Sequence, residues 1–491
     1  MTLDPRTPVL VGAGQLVQRP DDLADALEAI DCMAEVLERA ADDAGARTLL
    51  GDATAIRVMR GAWPYSDPGR LLAQRFGAGS AVSGLTTNGG NSPQSVVNRT
   101  ATDIAGGAHD VVLIVGAETI WTRRRIRREG GDYHYTEQTT GEPDEILGVE
   151  VVMSSDIESE RGFEAPVNFC PTFDSAIRAR WGESLDEHRD RLARLWHGFN
   201  EVAVQNPYAW NRTPMTAEEI REPSPANRMV GFPYTKAMNS NWDLDQAAGL
   251  IICSVSAAER HGVPRDRWVF PLAGSDGRDT DLVSNRWDLS ESPAIRVAGR
   301  RAFELAGVGP DDVAHVDLYS CFPSAVQIGA RELGLDEDRQ LTVTGGLTFA
   351  GGPLNNYVTH SIATMAGILR SDPGSVGLCS ANGGYVTKHA FGLYSTEPPQ
   401  AGFRHENCQE AIDAEPRREL AAGYTGPVTI EAYTVMHGRE GPERGLFACR
   451  LADGRRQWAD TTDPALMDAV MSTEHIGVAA EVTPGFALDV S

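Results

Sequence analysis

The chain has 491 residues, with 44 Lys and Arg against 69 Asp and Glu, a net charge of −25 and 41% hydrophobic residues. At about 150 residues to a domain it reads as roughly three structural units around a real core, which excludes a disordered, collagen-like or small disulfide-framed protein. The acidic balance repels phosphate backbones and anionic bilayers, so neither nucleic acid nor membrane is expected as a partner.

The seven cysteines are scattered and form no C-x-x-C pair, which signals neither a zinc site nor a disulfide framework and suits a reducing compartment. The opening stretch MTLDPRTPVLVGAG lacks a basic region followed by an apolar one, and no run approaches the ~20 apolar residues of a membrane span. A cytoplasmic location is expected.

Residues 8–12 (PVLVG) form a short apolar run that predicts a strand, and helical spacing over 21–46 predicts a helix. A strand over 55–59, a helix over 69–76 and a strand over 82–87 follow. That last strand runs into the turn Asn88-Gly89-Gly90-Asn91-Ser92-Pro93, with a helix from Pro93 to Ala105, since proline suits a first helical turn. The unbroken run from Asp110 to Glu118 is of the kind buried on both faces of a parallel sheet. Alternating strands and helices indicate a layered α/β fold.

Over 119–240 the rhythm fades into charge, Trp, Tyr and helical patterns at 175–181 and 185–204, predicting an inserted helical lid. It resumes with strands at 245–254, 268–273, 314–319 and 375–381 and helices at 293–306, 323–333 and 357–370. Beyond an acidic, Gly- and Pro-bearing stretch near 397–426, the tail reads as strands at 428–436, 445–451 and 476–482 and a helix at 463–471, a small separate β-rich barrel. The expected units are 1–118 with 241–275, the lid 119–240, a second half 276–400, and the tail 415–491.

Two similar α/β halves, an insertion after Val115-Gly116-Ala117-Glu118 and the run Asp245-Gln246-Ala247-Ala248 resemble the thiolase superfamily over residues 5–395. The added tail is similar to that of the thiolase-like protein type 1 group. The resemblance implies a layered α-β-α-β-α fold with an OB-like C-terminal barrel, and chemistry on acyl-CoA in lipid metabolism.

Thiolases use a Cys nucleophile at a helix start, with a His and a second Cys on Gly-rich loops, because a thiolate needs a base and a helix N-terminus to lower its pKa. The resemblance places Gly90 where the Cys belongs, and Gly352 of Ala350-Gly351-Gly352-Pro353 where the activating His belongs. It also aligns Tyr319-Ser320-Cys321-Phe322 with the family's His-Asn/Asp-Cys/Ala-Phe run, and Asn382-Gly383-Gly384 with the final Cys loop. The Gly and Pro framework persists while the reactive groups are replaced, so thiolytic activity is not expected.

Cys321 then stands either as a replacement nucleophile or as a small packing residue before Phe322, with Tyr319, Ser320 and Asn382 as its companions. Asn88, Asn91, Ser92, Asn355, Asn356 and His389 supply further polar groups to the pocket, suited to hydrogen bonding; His360 and Trp210 read more simply as packed. Arg123, Arg124 and Arg125 begin a run of five guanidiniums in six residues, and with Lys236 they suit the phosphates of coenzyme A or read as a solvated charge run. No bound cofactor is expected beyond coenzyme A or an acyl-CoA as ligand. Two functions remain open: an acyltransferase with altered chemistry, or a non-catalytic acyl-ligand or partner protein whose tail meets another protein; in either case a monomer is expected.

Overall fold

The computed structural model describes residues 3–138, 141–485 and 487–490. In chain order the first strands are β1 (Pro8–Val17), β2 (Ala55–Val58), β3 (Val82–Thr86), β4 (Val111–Thr119) and β5 (Glu145–Leu147). The lid carries a hairpin of β6 (Met229–Gly231) and β7 (Tyr234–Thr235). The core resumes with β8 (Asp245–Ser254), β9 (Phe270–Arg278), β10 (His315–Asp317), β11 (Val376–Gly383), β12 (Lys388–Ser395) and β13 (Arg404–Asn407). The tail adds β14 (Gly426–His437), β15 (Pro442–Arg450), β16 (Arg456–Thr461), β17 (Ala479–Val482) and β18 (Leu488–Asp489).

Two sheets form the core, in the orders β1-β8-β4-β2-β3-β5 and β10-β11-β12-β9-β13. Every residue of β4 is buried, as its unbroken apolar run requires. The sheet is mixed, however: β4 is parallel to β2 but antiparallel to β8, which also runs against β1. The long lid lets the chain re-enter from the opposite end, and an apolar run buried on both faces is silent about that direction. The outer edge of β3 is covered by the chain's own β5.

Two helices, Ser92–Gly106 and Tyr357–Ser371, lie between the sheets and touch strands of both. Their apolar residues, among them Val96, Val97, Ile104, Tyr357 and Ile362, join the inner strands in one buried cluster. The helix Ala29–Asp43 covers the outside of the first sheet, and Pro293–Ala306 that of the second. These layers give the α-β-α-β-α arrangement.

The first helix starts later than its pattern suggests, because Asp22 caps a separate short turn at Leu23–Asp25. In the lid, Pro166–Trp181 extends well upstream of the periodic stretch, with Pro166 opening it and Pro171 inside it, so prolines obscure the pattern. Leu185–Gln205 is fixed by a capping box between Ser184 and Glu187. Among the described residues, no helix is long and apolar enough to cross a membrane.

The tail sheet runs β16-β15-β14-β17-β18, and a bridge between Asp460 and Ala487 brings its two ends together. It is continuous with the lid: Gly231 of β6 pairs with Met436 of β14, and Phe232 N–H donates to Val435 O at 2.9 Å. The fully buried Arg456, held within the tail by a forked pair with Glu431 (2.8 and 2.9 Å), ties tail to core by bonds to the carbonyls of Val283, Ser284 and Arg286 (3.1, 3.0 and 2.6 Å).

At the end of β4 the buried Glu118 accepts the Ala62 N–H at 2.9 Å. Burial pushes its carboxyl up to about 8, against the pull of that N–H and of Arg123. A carboxyl raised in the folded state contributes stability that is present below its unfolded pKa, near 4.3, and is lost as pH rises through about 8. Urea unfolding at pH 5 and pH 9 is expected to show a loss of a few kcal/mol at the higher pH that Glu118→Gln largely abolishes.

Candidate active site

The turn after β3 positions the start of the Ser92 helix. Its geometry is held by Asn355, whose Oδ1 accepts the Gly89 N–H (2.9 Å) and whose Nδ2 donates to Arg60 O (2.8 Å) and Asn88 Oδ1 (3.3 Å). Gly89 has a φ of 155°, in the glycine-favouring range. A Cβ placed on Gly90 would lie 2.2 Å from Tyr319 Oη and 2.5 Å from Asn382 O, so the position is closed to any side chain. The phenol of Tyr319 stands where a residue-90 side chain would project.

Tyr319 leaves β10 with its N–H bonded to Ser380 Oγ (2.9 Å) and its ring edge-on to Tyr357, centroids 5.5 Å apart. Burial first, and then Cys321, raises its phenol far above the usual range, so it stays neutral. Ser320 is buried and turned the other way, towards Gly346 and the Leu347 N–H (3.4 Å).

Cys321 is half-buried. Asn382 Nδ2 points at its Sγ from 3.8 Å, and its carbonyl accepts from Ser240 Oγ at 2.7 Å. The Cys170 thiol, from the lid helix, lies against it; burial and that contact hold Cys170 well above the ordinary thiol range. Among the described residues no histidine or carboxylate is hydrogen-bonded to Cys321, so nothing there would take its proton.

The other sequence candidates are brought near but spent elsewhere. Among the described residues Asn382 Oδ1 and Asn91 Oδ1 are buried without a hydrogen-bond partner, and Ser92 Oγ faces Thr87 O at 3.4 Å. Asn356 Nδ2 donates to Gly116 O (2.7 Å), joining the inner helix to β4. His389 sits across the ladder from Asn382 but turns its ring to Asp279 (3.7 Å) and Ser292 Oγ (3.4 Å). Burial opposes the Asp279 charge, yet His389, Arg286 and Ser292 hold its carboxyl below the usual range. Tyr319, Ser380, Asn382, His389 and Phe391 enclose a cavity of ≈ 10 Å³, room for about one water. His360 faces Gln15 (2.9 Å), and burial lowers its ring to about 3, so it is neutral.

The Ala350–Pro353 loop is latched by the lid. Trp210 N–H donates to Ala350 O, Asn211 N–H to Phe349 O, and Gly352 N–H to Asn241 O, each at 2.8 Å. A Cβ on Gly352 would meet Leu347 at 3.3 Å and the Asn241 carbonyl at 3.5 Å, a tight but available space. Position 90 is filled; position 352 is merely without a side chain.

The arginine run forms the helix Ile120–Arg128. Arg123 is structural, donating to Ala62 O and to Tyr135 Oη (2.5 and 3.0 Å). Arg124 pairs with Asp243 (3.1 Å) and lies 5.3 Å over Trp242, which is 49% exposed. Arg125 pairs with Glu129 (3.4 Å) and lies 5.2 Å over Trp121, itself against Trp210, whose other side carries Arg19 at 3.8 Å. Arg127 and Arg128 are exposed, without an ion pair among the described residues. The aromatic half of this face, Trp121 and Trp242, was not singled out from sequence, although both flank charged turns. Lys236 is exposed after the β6–β7 hairpin, its N–H bonded to Arg228 O, on the side of the tail.

Residues 407–485 match the family model of the thiolase-like protein type 1 additional C-terminal domain. Among curated proteins the chain is 23% identical over 288 residues to an acetyl-CoA acetyltransferase of Methanothermobacter thermautotrophicus, covering 55% of this chain and 67% of that one. It is 22% identical over 322 residues to sterol carrier protein 2 of Rattus norvegicus, covering 58% and 56%. The chain thus spans little more than half to two thirds of these relatives' lengths. Among solved structures, the Ltp2-ChsH2(DUF35) aldolase shares the fold, with a TM-score of 0.59 at 17% identity over 80% of this chain and 99% of that one. A monomeric SCP2-thiolase like protein type 1 from Mycobacterium smegmatis superposes over 100% of both chains, with a TM-score of 0.85 and 31% identity. Two layered halves, a latched lid and a tail matched end to end by that protein leave one assignment: the chain belongs to the thiolase superfamily, in its SCP2-thiolase-like type 1 branch.

Proposed function

We infer that this protein uses a thiolase scaffold to hold an acyl-CoA or related acyl ligand without thiolytic turnover. The observation that carries the reading is the Tyr319 hydroxyl 2.2 Å from where a Cβ on residue 90 would be, which leaves no place for a nucleophile at the helix start. The absence of a base bonded to Cys321 and the ≈ 10 Å³ cavity beside Asn382 support it. Arg124, with Trp242 beneath it, and the exposed Arg127 and Arg128 offer phosphate contacts and an aromatic face to coenzyme A. The cover that β5 gives β3 favours a single copy, and the tail is the surface we assign to a protein partner. The setting is acyl-CoA metabolism in the cytoplasm.

Titration calorimetry with coenzyme A and acetyl-CoA tests this. Micromolar binding that weakens roughly tenfold or more in Arg124→Ala/Arg128→Ala, with no release of free thiol from acetyl-CoA above background, is the expected result. Release of coenzyme A that disappears in Cys321→Ala would replace the reading with an enzyme whose nucleophile is Cys321.

A further inference from the structure

Beside the Asn88–Pro93 turn, and sharing Asn91, Ser92 and His389 with the site above, lies a second cavity of ≈ 310 Å³. Three cations line it, Arg278, Lys388 and Arg99, the last already paired with Asp103 at 2.7 Å, in a chain of net charge −25. Its one carboxylate, Asp276, is already engaged by Ser95 Oγ, by Asn98 Nδ2 at 2.9 Å and by His405 at 2.7 Å. The opposite wall is apolar: Val96, Leu147, Ile146 and Val149, the last two 57% and 60% exposed.

Lys388 and Arg278 sit directly opposite each other in the β12–β9 ladder. Like charges so placed destabilise an antiparallel pair unless an anion lies between them. Arg278 has a solvent-screened contact with Asp281 (3.3 Å), both groups being a third or more exposed. Lys388 is only 5% exposed; it donates to Asn88 O, and no carboxylate among the described residues is within ion-pair distance of it. Burial opposes its charge, Glu150 favours it, Arg278 opposes it and Asp281 favours it, and the balance holds the ammonium below its usual range. A sheet that breaks its own pairing rule does so at a functional or a strained position, and here that position opens on a cavity.

We propose that this cavity binds a small carboxylate with an apolar chain, its carboxylate set between Lys388 and Arg278 and its chain along Val96, Leu147 and Val149. Two facing cations suit a single negative charge, and the apolar wall suits a hydrocarbon tail more than a hydrated phosphate.

Titration calorimetry on the full chain with hexanoate, the neutral hexanamide and inorganic phosphate decides it. Hexanoate is expected to bind, hexanamide roughly tenfold or more weakly, and phosphate more weakly than hexanoate. Lys388→Met and Arg278→Gln are each expected to lose roughly tenfold in hexanoate affinity while leaving hexanamide unchanged. No heat from hexanoate, equal binding of acid and amide, phosphate binding as tightly as hexanoate, or unaltered hexanoate affinity in a folded variant would each overturn it. Should Lys388→Met fail to fold, the more exposed Arg278→Gln decides alone.

Discussion

Gly90→Cys, which puts a thiol back at the helix start, is expected to cost about 3 kcal/mol of stability and to restore no thiolysis. The new Cβ would lie 2.2 Å from Tyr319 Oη, 2.7 Å from Tyr319 Cζ and 2.5 Å from Asn382 O, so either the phenol or β11 must move. Tyr319 has little freedom, with its N–H bonded to Ser380 and its ring against Tyr357. Adding Tyr319→Phe takes away the closest of the three atoms and is expected to recover part of the loss. Urea midpoints of both single variants and the double variant give the coupling. A Gly90→Cys protein as stable as the parent would mean the phenol swings freely aside, and would remove the main support for a ligand-holding role.

Arg456→Leu is expected to be of similar or greater effect, about 3–5 kcal/mol, because it strips a buried carboxylate of its forked cation and leaves it only the more distant Arg418, 3.8 Å away. Glu431 is only 10% exposed at its side chain and takes a forked pair from Arg456. Three core carbonyls lose a donor at the same time. Since those bonds join tail to core, limited proteolysis of the variant should open the 407–425 connection well before the core. Glu431→Gln, which retains an acceptor without the charge, should cost less. Equal losses for the two would point to packing and not to the ion pair.

Much of the architecture was legible because burial writes itself as pattern. The run from Val111 needed to be apolar, and the helical spacing over 185–204 matches the helix Leu185–Gln205. β12 was missed since Lys388-His389 opens it with two polar residues and Gly392 interrupts it; both polar groups serve sites reached only after folding. The direction of β8 was illegible for a different reason: burial on both faces has no sign. At the site, the aligned motifs named the residues that converge, including Tyr319 opposite Gly90. That the phenol fills the missing side chain's volume is a three-dimensional fact between distant positions, which spacing does not encode. The Lys388–Arg278 conflict likewise exists only once register pairs them.

The hairpin that the lid lends to the tail makes the two a single mechanical body. Gly231 and Phe232 are stitched to β14, while Trp210 and Asn211 of the same lid, with Asn241 just past its end, clamp the loop at Phe349–Gly352. A shortened chain ending near residue 407 would therefore not be a trimmed thiolase core: its lid would lose the strand it leans on. In the intact chain, a molecule gripping the tail has a lever on the latch, and a molecule arriving at the latch has a way to announce itself at the tail.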